Sequence, residues 1–308
     1  MTTSDGTPPD EATLRAIEEL AVELAREGGR QATEGLAREI TINYKSESKE
    51  EDQAPRDPVS EIDHAVEALV RERVGERFPD HDIIGEEVED HPDAVEGFVW
   101  VVDPVDGTAN FINGYPLFCV SIGVLFNGEP AVGVIWCAST HALGPGVYHA
   151  HRGGGLHFEE QPFTPIPTSD VRRKLSAAPG GSPGRMQHWD NRVTGSAAIE
   201  LAFVAAGIFQ SAWFGGLKIW DLSAGVLLIQ EAGGQVIHRK PDGFGPFTRF
   251  EAPSEVKDDR EPSLRDWRGL ILTGTEDAVA VLQERLERQP SWFARMRARL
   301  GLGGRRRR

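Results

Sequence analysis

The residues with the clearest chemical potential lie in the run Trp100-Val101-Val102-Asp103-Pro104-Val105-Asp106-Gly107-Thr108-Ala109-Asn110-Phe111. An apolar stretch ends in a carboxylate, and a second carboxylate follows three residues later across a proline. A buried strand here would deliver Asp103 to the edge of a sheet, with Pro104 stiffening the turn that brings Asp106 beside it. Two carboxylates so close repel unless one is protonated or a cation bridges them. Hard oxygen donors with no cysteine nearby point to Mg²⁺. Gly107 and Thr108 then open a helix, whose free N–H groups and positive dipole end suit an anion. An isolated motif of this kind reads first as an Asp-Gly turn in which Asp106 caps a helix.

Three other acidic positions bear on that choice. Glu86 and Glu87 follow the short apolar pair Ile83-Ile84 and Gly85, again at a strand end, although Glu89, Asp90 and Asp93 make a solvated run an equal reading. Asp221 stands between Ile219-Trp220 and an apolar helix, where it reads by itself as an N-cap. Asp63 lies in Ser60-Glu61-Ile62-Asp63, a capping-box opening.

The elements that must position these residues follow from periodicity. Residues 10 to 27 predict a helix with Leu14, Ile17, Ala21 and Leu24 on one face behind Asp10. A second helix is expected over 60–77, with Ala65, Leu69 and Val70 inward. Strands are expected at 98–102, 117–126 and 131–138. A small-residue helix at about 196–206 and an apolar one at 222–231, closed by Gly233-Gly234, complete the frame. Residues 45–56 read as a loop, and 239–268, rich in charge, Pro and Gly, as a surface insertion. Helices and strands in blocks favour an α+β layering over a doubly wound nucleotide fold. The expected division is a flexible N-terminus at 1–9, an α+β half with the metal site at 10–150, an α/β half completing it at 151–290, and a basic tail at 291–308.

Composition narrows the classes. The 308 residues carry a formal charge of −15, and the tail at 291–308 holds seven Arg and no acid. Removing that +7 leaves −22 on residues 1–290. So acidic a body disfavours nucleic acid and membrane surfaces, leaving only the tail for an anionic partner. No apolar run reaches the roughly 20 residues of a membrane helix, and the polar start is unlike a signal peptide, so a cytoplasmic location is expected. The two cysteines flank Asn127-Gly128-Glu129-Pro130. A tight hairpin pairing Asn127 with Pro130 would set Cys119 opposite residue 138, putting the thiols on opposite sheet faces. His141, His149, His151 and His157 cluster without metal-binding spacing and read as a surface hairpin.

Asp63 at a capped helix start, Gly85-Glu86-Glu87, the Asp103–Phe111 run and the late Trp220-Asp221 together resemble the inositol monophosphatase family. That family belongs to the Mg²⁺-dependent, lithium-sensitive sugar phosphatases, and the resemblance spans about residues 10 to 285. It implies a layered αβαβα sandwich and two to three Mg²⁺ ions. Glu86, Asp103 and the Val105 carbonyl would hold one ion, and Asp103, Asp106 and Asp221 another, with Glu86 holding a third through water. Thr108 paired with Asp63 would orient and deprotonate the attacking water, so Glu86, Thr108 and Asp63 form the implied catalytic set. The amides of Gly107 and Thr108 would hold the phosphate, Gly195, Ser196 and Ala197 would lie beside the substrate hydroxyls, Glu87 would support the ligands from behind, and Lys45 would close over the site from its loop. Where the family carries an acid that reads sugar hydroxyls, seven residues before the late Asp, this chain has Phe214.

The expected function is therefore hydrolysis of a small phosphate monoester by metal-activated water in a homodimeric enzyme. Alternatives within the superfamily are a 3′-phosphoadenosine 5′-phosphate nucleotidase, a fructose-1,6-bisphosphatase and a histidinol-phosphate phosphatase, the first and last favoured because Trp213 and Phe214 could stack on a base or ring. A regulatory binding protein using the basic tail is the alternative of another class. All acidic ligand positions being filled favours the enzyme.

Overall fold

The computed structural model of the chain describes residues 8–36, 42–44, 58–88, 96–165, 167, 174–177, 189–240, 242–256 and 261–288. Lys45 with its loop at 45–56, Glu89, Asp90 and Asp93, residues 180–184 and the basic tail lie outside these.

Helix α1 (Glu11–Gly35) is capped by Asp10, whose carboxylate accepts from the Thr13 amide at 2.8 Å. It runs eight residues past the expected end because Gly28 and Gly29 are packing positions: a Cβ there would come within 2.9 Å of Val66 and 2.2 Å of the Trp136 ring. Strands β1 (Ile42–Tyr44) and β2 (Pro58–Ser60) form a small antiparallel pair leading into α2 (Glu61–Arg77). The inner face of α2 is Ile62, Val66, Val70 and Val74. Ala65 is exposed and Leu69 half-buried, so the apolar stripe is offset from the expected one, set by the spacing from Ile62.

Strands β3 (Asp82–Gly85), β4 (Phe98–Asp106), β5 (Cys119–Phe126), β6 (Glu129–Cys137), β7 (Gly146–His151), β8 (His157–Phe158) and β9 (Gln161–Pro162) lie side by side in chain order. β3 is parallel to β4, and the other neighbours are antiparallel. Alternation sorts the side chains: Trp100 and Val102 meet α1 and α2, while Val99 and Val101 face the other way. After the short helix α3 (Thr108–Ile112), a second sheet has the order β11 (Trp189–Arg192), β10 (Lys174–Ala177), β12 (Ser211–Gly215), β15 (Leu270–Gly274), β13 (Gln235–Lys240), β14 (Gly243–Pro246).

Helices α4 (Ala197–Ala205) and α5 (Ile219–Glu231) fill the space between the sheets, and α6 (Glu276–Glu287) covers the far face of the second. The result is the five-layer αβαβα arrangement. The backbone of α5 comes close to the first sheet at the paired residues Gly123 and Gly133, where a Cβ would lie 2.3 Å from Ser223 Oγ and 2.4 Å from the Ala224 carbonyl.

Three expectations need correction. The β5–β6 turn is Asn127-Gly128, both at positive φ, with Phe126 opposite Glu129 and a bulge at Ala131. Cys119 therefore faces Cys137 directly on one sheet face, and both remain free, buried thiols. The 239–268 segment is not a surface insertion: it supplies β14, and Phe247, Phe250 and Trp267 interlock edge-on in the central core. Among the described helices none is long and apolar enough to cross a membrane.

The third concerns the histidines. Glu18 of α1 is buried, and its two oxygens meet His149 Nδ1 and His151 Nδ1 at 2.6 Å each, tying the helix to β7. The mean charge pattern of the segment hid this because the partner lies 131 residues away. Burial raises the Glu18 carboxyl, but bonds from the histidines outweigh it and set its pKa below the usual 4.5. Burial opposes the charge on His149, and Glu18 more than offsets it, raising its pKa above 6.5. The pair's stabilisation is therefore complete between those two values, lost as pH falls through the lowered Glu18 pKa and as pH rises through the raised His149 pKa. Glu18→Gln is expected to cost about 2–3 kcal/mol near pH 6 and less at pH 8, read by urea denaturation at both.

Candidate active site

Asp103 and Asp106 sit at the end of β4, where the β4–β5 ladder breaks register between them. Asp103 is 2% exposed, and its Oδ1 is buried without any hydrogen-bond partner among the described residues. Burial, reinforced by Glu86, Asp106, Asp221 and Asp63, holds its carboxyl well above the usual range. That list of neighbours brings together the five acids singled out in the sequence.

Asp106 is held by one oxygen. Its Oδ2 accepts from Ser196 Oγ at 2.7 Å and from the Ala198 amide at 2.6 Å, at the first turn of α4. Burial pushes its pKa up to about 6 against those bonds. Ser196 and the start of α4 thus act first on Asp106; the sequence reading had Gly195, Ser196 and Ala197 beside substrate hydroxyls. Cys119 Sγ lies 3.8 Å from the same oxygen, closer than the sequence suggested, but burial raises the thiol pKa so that it is a neutral donor.

Asp221 is the third residue of α5 rather than its N-cap, and its Oδ2 accepts from the Lys218 amide at 2.7 Å. Burial and then Asp106 raise its pKa well above the ordinary value. Asp63 completes the capping box with Ser60. Its other oxygen lies 3.4 Å from Thr108 Oγ1, whose hydroxyl also reaches the Val105 carbonyl at 2.9 Å. Burial outweighs the Ser60 bonds and raises the Asp63 pKa. Gly107, which precedes α3, has φ 89°, a conformation glycine adopts without strain.

The Gly85-Glu86-Glu87 loop has an anchor that periodicity did not disclose. Buried Glu67 of α2 accepts the Glu87 amide at 2.7 Å and the Val88 amide at 3.3 Å. Its signal was its place one turn after Asp63 on an inward helix face. A Cβ at Gly85 would stand 2.2 Å from the Glu67 carboxylate. Gly85→Ala is accordingly expected to destabilise the fold by about 1–3 kcal/mol and to displace Glu86, seen as a lower melting temperature with weaker Mg²⁺ binding.

Asn110, inside the Asp103–Phe111 motif, donates to the Leu117 and Thr194 carbonyls at 2.6 and 2.8 Å, fastening the loop before α4 to the start of β5. Glu200, buried in α4, holds the Thr194 amide and hydroxyl at 2.9 and 3.0 Å, and burial raises its pKa to about 7. Phe214 is not brought to the site: its ring is fully buried in the central core, and Trp213 packs against α6. Neither offers a face to a ligand.

The arrangement fits divalent cations in donor chemistry: buried carboxylates, one with a partnerless oxygen, raise one another's pKa values. Among the described residues no three such side chains form a closed ligand cage, and Asp106 and Asp221 each turn one oxygen to a backbone amide. An ion would draw on their remaining oxygens.

The model of the inositol monophosphatase family matches residues 13–261. An inositol-1-monophosphatase of Bacillus subtilis is 33% identical over 249 residues, covering 76% of this chain and 89% of that protein. Inositol monophosphatase 1 of Sus scrofa is 29% identical over 262 residues, covering 77% and 88%. The structure of an inositol monophosphatase from Anabaena superposes with a TM-score of 0.66 at 26% identity, covering 90% of this chain and 97% of that one. With the family model covering the carboxylate centre and most of both sheets, the chain belongs to the inositol monophosphatase family, whose members are phosphoric monoester hydrolases.

Proposed function

We propose that the protein is a Mg²⁺-dependent phosphatase of a small phosphate monoester. The observation that carries this reading is Asp103 Oδ1, buried and partnerless within a group of mutually repelling carboxylates. Glu86, Asp103, the Val105 carbonyl, Asp106 and Asp221 would hold the two to three ions. When bound, Mg²⁺ lowers the pKa of a water and offsets charge on the phosphoryl oxygens.

The chain's own groups do the rest. Thr108 Oγ1 stands between the Val105 carbonyl and Asp63, so it can accept from an attacking water while passing its own proton to Asp63. Burial makes Asp63 a stronger base than an exposed aspartate. Ser196 and the Ala198 amide fix Asp106, and the Lys218 amide fixes Asp221, each through Oδ2. Glu67 holds the loop that carries Glu86, with Glu87 bonded through its amide. The amides of Gly107 and Thr108 receive the phosphate. Lithium inhibition follows from the same ion sites.

Inositol, fructose, histidinol and nucleotide phosphates, each assayed with Mg²⁺ and with EDTA, test this reading. Phosphate release from at least one substrate with Mg²⁺ and none with EDTA is expected; release that survives EDTA would overturn it.

A further inference from the structure

Beside the acidic centre stand three cations that this reading does not use. Lys218 Nζ lies 5.2 Å and the Arg265 guanidinium 5.4 Å from the centre of the Trp220 ring, one residue before Asp221. Arg265 also reaches the Glu86 carbonyl at 3.3 Å. Arg268, three residues on, bonds the carbonyls of Arg265 and Trp267. The two arginines come from the 239–268 segment, which Phe247, Phe250 and Trp267 bury against the core. They are therefore held at the rim of the site by packing.

Among the described residues none of the three cations forms an ion pair within 4 Å of a carboxylate, and Arg265 Nε is buried with no hydrogen-bond partner. Lys218 is exposed and lies over the indole face. The nearest acids are Asp221 and Asp266 for Arg268 and Asp221 and Glu86 for Lys218; with Asp221 and Glu86 given over to bound ions, the gathered cations attract an anion. β12, which ends three residues earlier, offers only the buried rings of Trp213 and Phe214, so polar recognition beside Asp221 falls to these cations.

We infer that Lys218, Arg265 and Arg268 form a subsite for a second anionic group on the substrate, so that the preferred esters are polyol phosphates bearing another phosphate or a carboxylate. This rests on the phosphatase reading and deepens it. Guanidinium groups suit either oxyanion, and an ammonium adds a point charge beside them.

Two matched pairs test the inference: glycerol 2-phosphate against 2-phosphoglycerate, and fructose 1-phosphate against fructose 1,6-bisphosphate, all with saturating Mg²⁺. In at least one pair the doubly anionic ester should have a kcat/KM about tenfold higher, carried by KM and diminished by added salt. Which pair responds distinguishes carboxylate from phosphate. Lys218→Gln and Arg268→Gln should each reduce that ratio about threefold or more. Ratios near one in both pairs, or a ratio unchanged in both variants, would overturn the subsite while leaving the phosphatase reading intact. The same ratios are read as Kd by calorimetry on Thr108→Ala protein with Mg²⁺. If none of the four esters is turned over, tighter binding of the doubly anionic ester would keep the subsite while the phosphatase reading falls; equal Kd values would overturn it.

Discussion

Asp103→Asn is expected to abolish phosphate release, by on the order of a thousandfold or more, and at the same time to raise the melting temperature of the metal-free protein. The two effects share one cause. Asp103 is buried, one oxygen lacks a partner, and its charge is opposed by Glu86, Asp106, Asp221 and Asp63. Asparagine keeps the shape and removes the charge, relieving about 1–3 kcal/mol of repulsion at neutral pH. It also removes the oxygen common to both proposed ion sites. The check is paired: phosphate release with Mg²⁺, and thermal melts in EDTA. A variant that lost activity and stability together would show Asp103 to be a structural residue only.

The second large effect is a pH dependence that Mg²⁺ should erase. Asp103, Asp221 and Asp63 have pKa values raised above the ordinary 3.8, Asp106 rises to about 6 and Glu200 from 4.5 to about 7. A carboxyl raised in the folded state contributes stability that is full below its unfolded pKa and lost as pH rises through its folded one. The metal-free protein should therefore be most stable at this centre below about pH 4 and lose on the order of a few kcal/mol by pH 8. The Glu18 network opposes this only at its acid end. Melts across pH 5 to 8 in EDTA should slope downward, and saturating Mg²⁺ should flatten them. Parallel curves would contradict it.

These effects explain why the site was readable in the sequence to the degree it was. Asp63, Glu86, Asp103, Asp106 and Asp221 each terminate or open a regular element, and apolar periodicity marks such ends well. An α+β layering followed from the same periodicity, while the five-layer order was what the family resemblance implied. What periodicity lacks is the partner across space. Glu67 looked like one more helix acid, and its role appears only when Gly85 and the Glu87 amide arrive beneath it. Glu18 with His149 and His151, and Arg265 with Trp220, are likewise long-range pairs.

Register failed for a local reason. A turn at Asn127-Gly128 and a bulge at Ala131 move the β5–β6 pairing by one residue, which carries Cys137 opposite Cys119. Phe214 was misread because its position relative to Asp221 was known while the face of β12 that it occupies was not. Segment 239–268 was misread because its composition is polar, yet a few aromatics spaced through it suffice to bury it.

The central claim is that these carboxylates bind Mg²⁺ as a group, and calorimetric titration of Mg²⁺ into the wild-type protein and Asp103→Asn tests it most directly. The account predicts saturable binding of two or more ions to the wild type and loss of that binding in the variant. No heat of binding to the wild type, or equal binding by the two proteins, would contradict it.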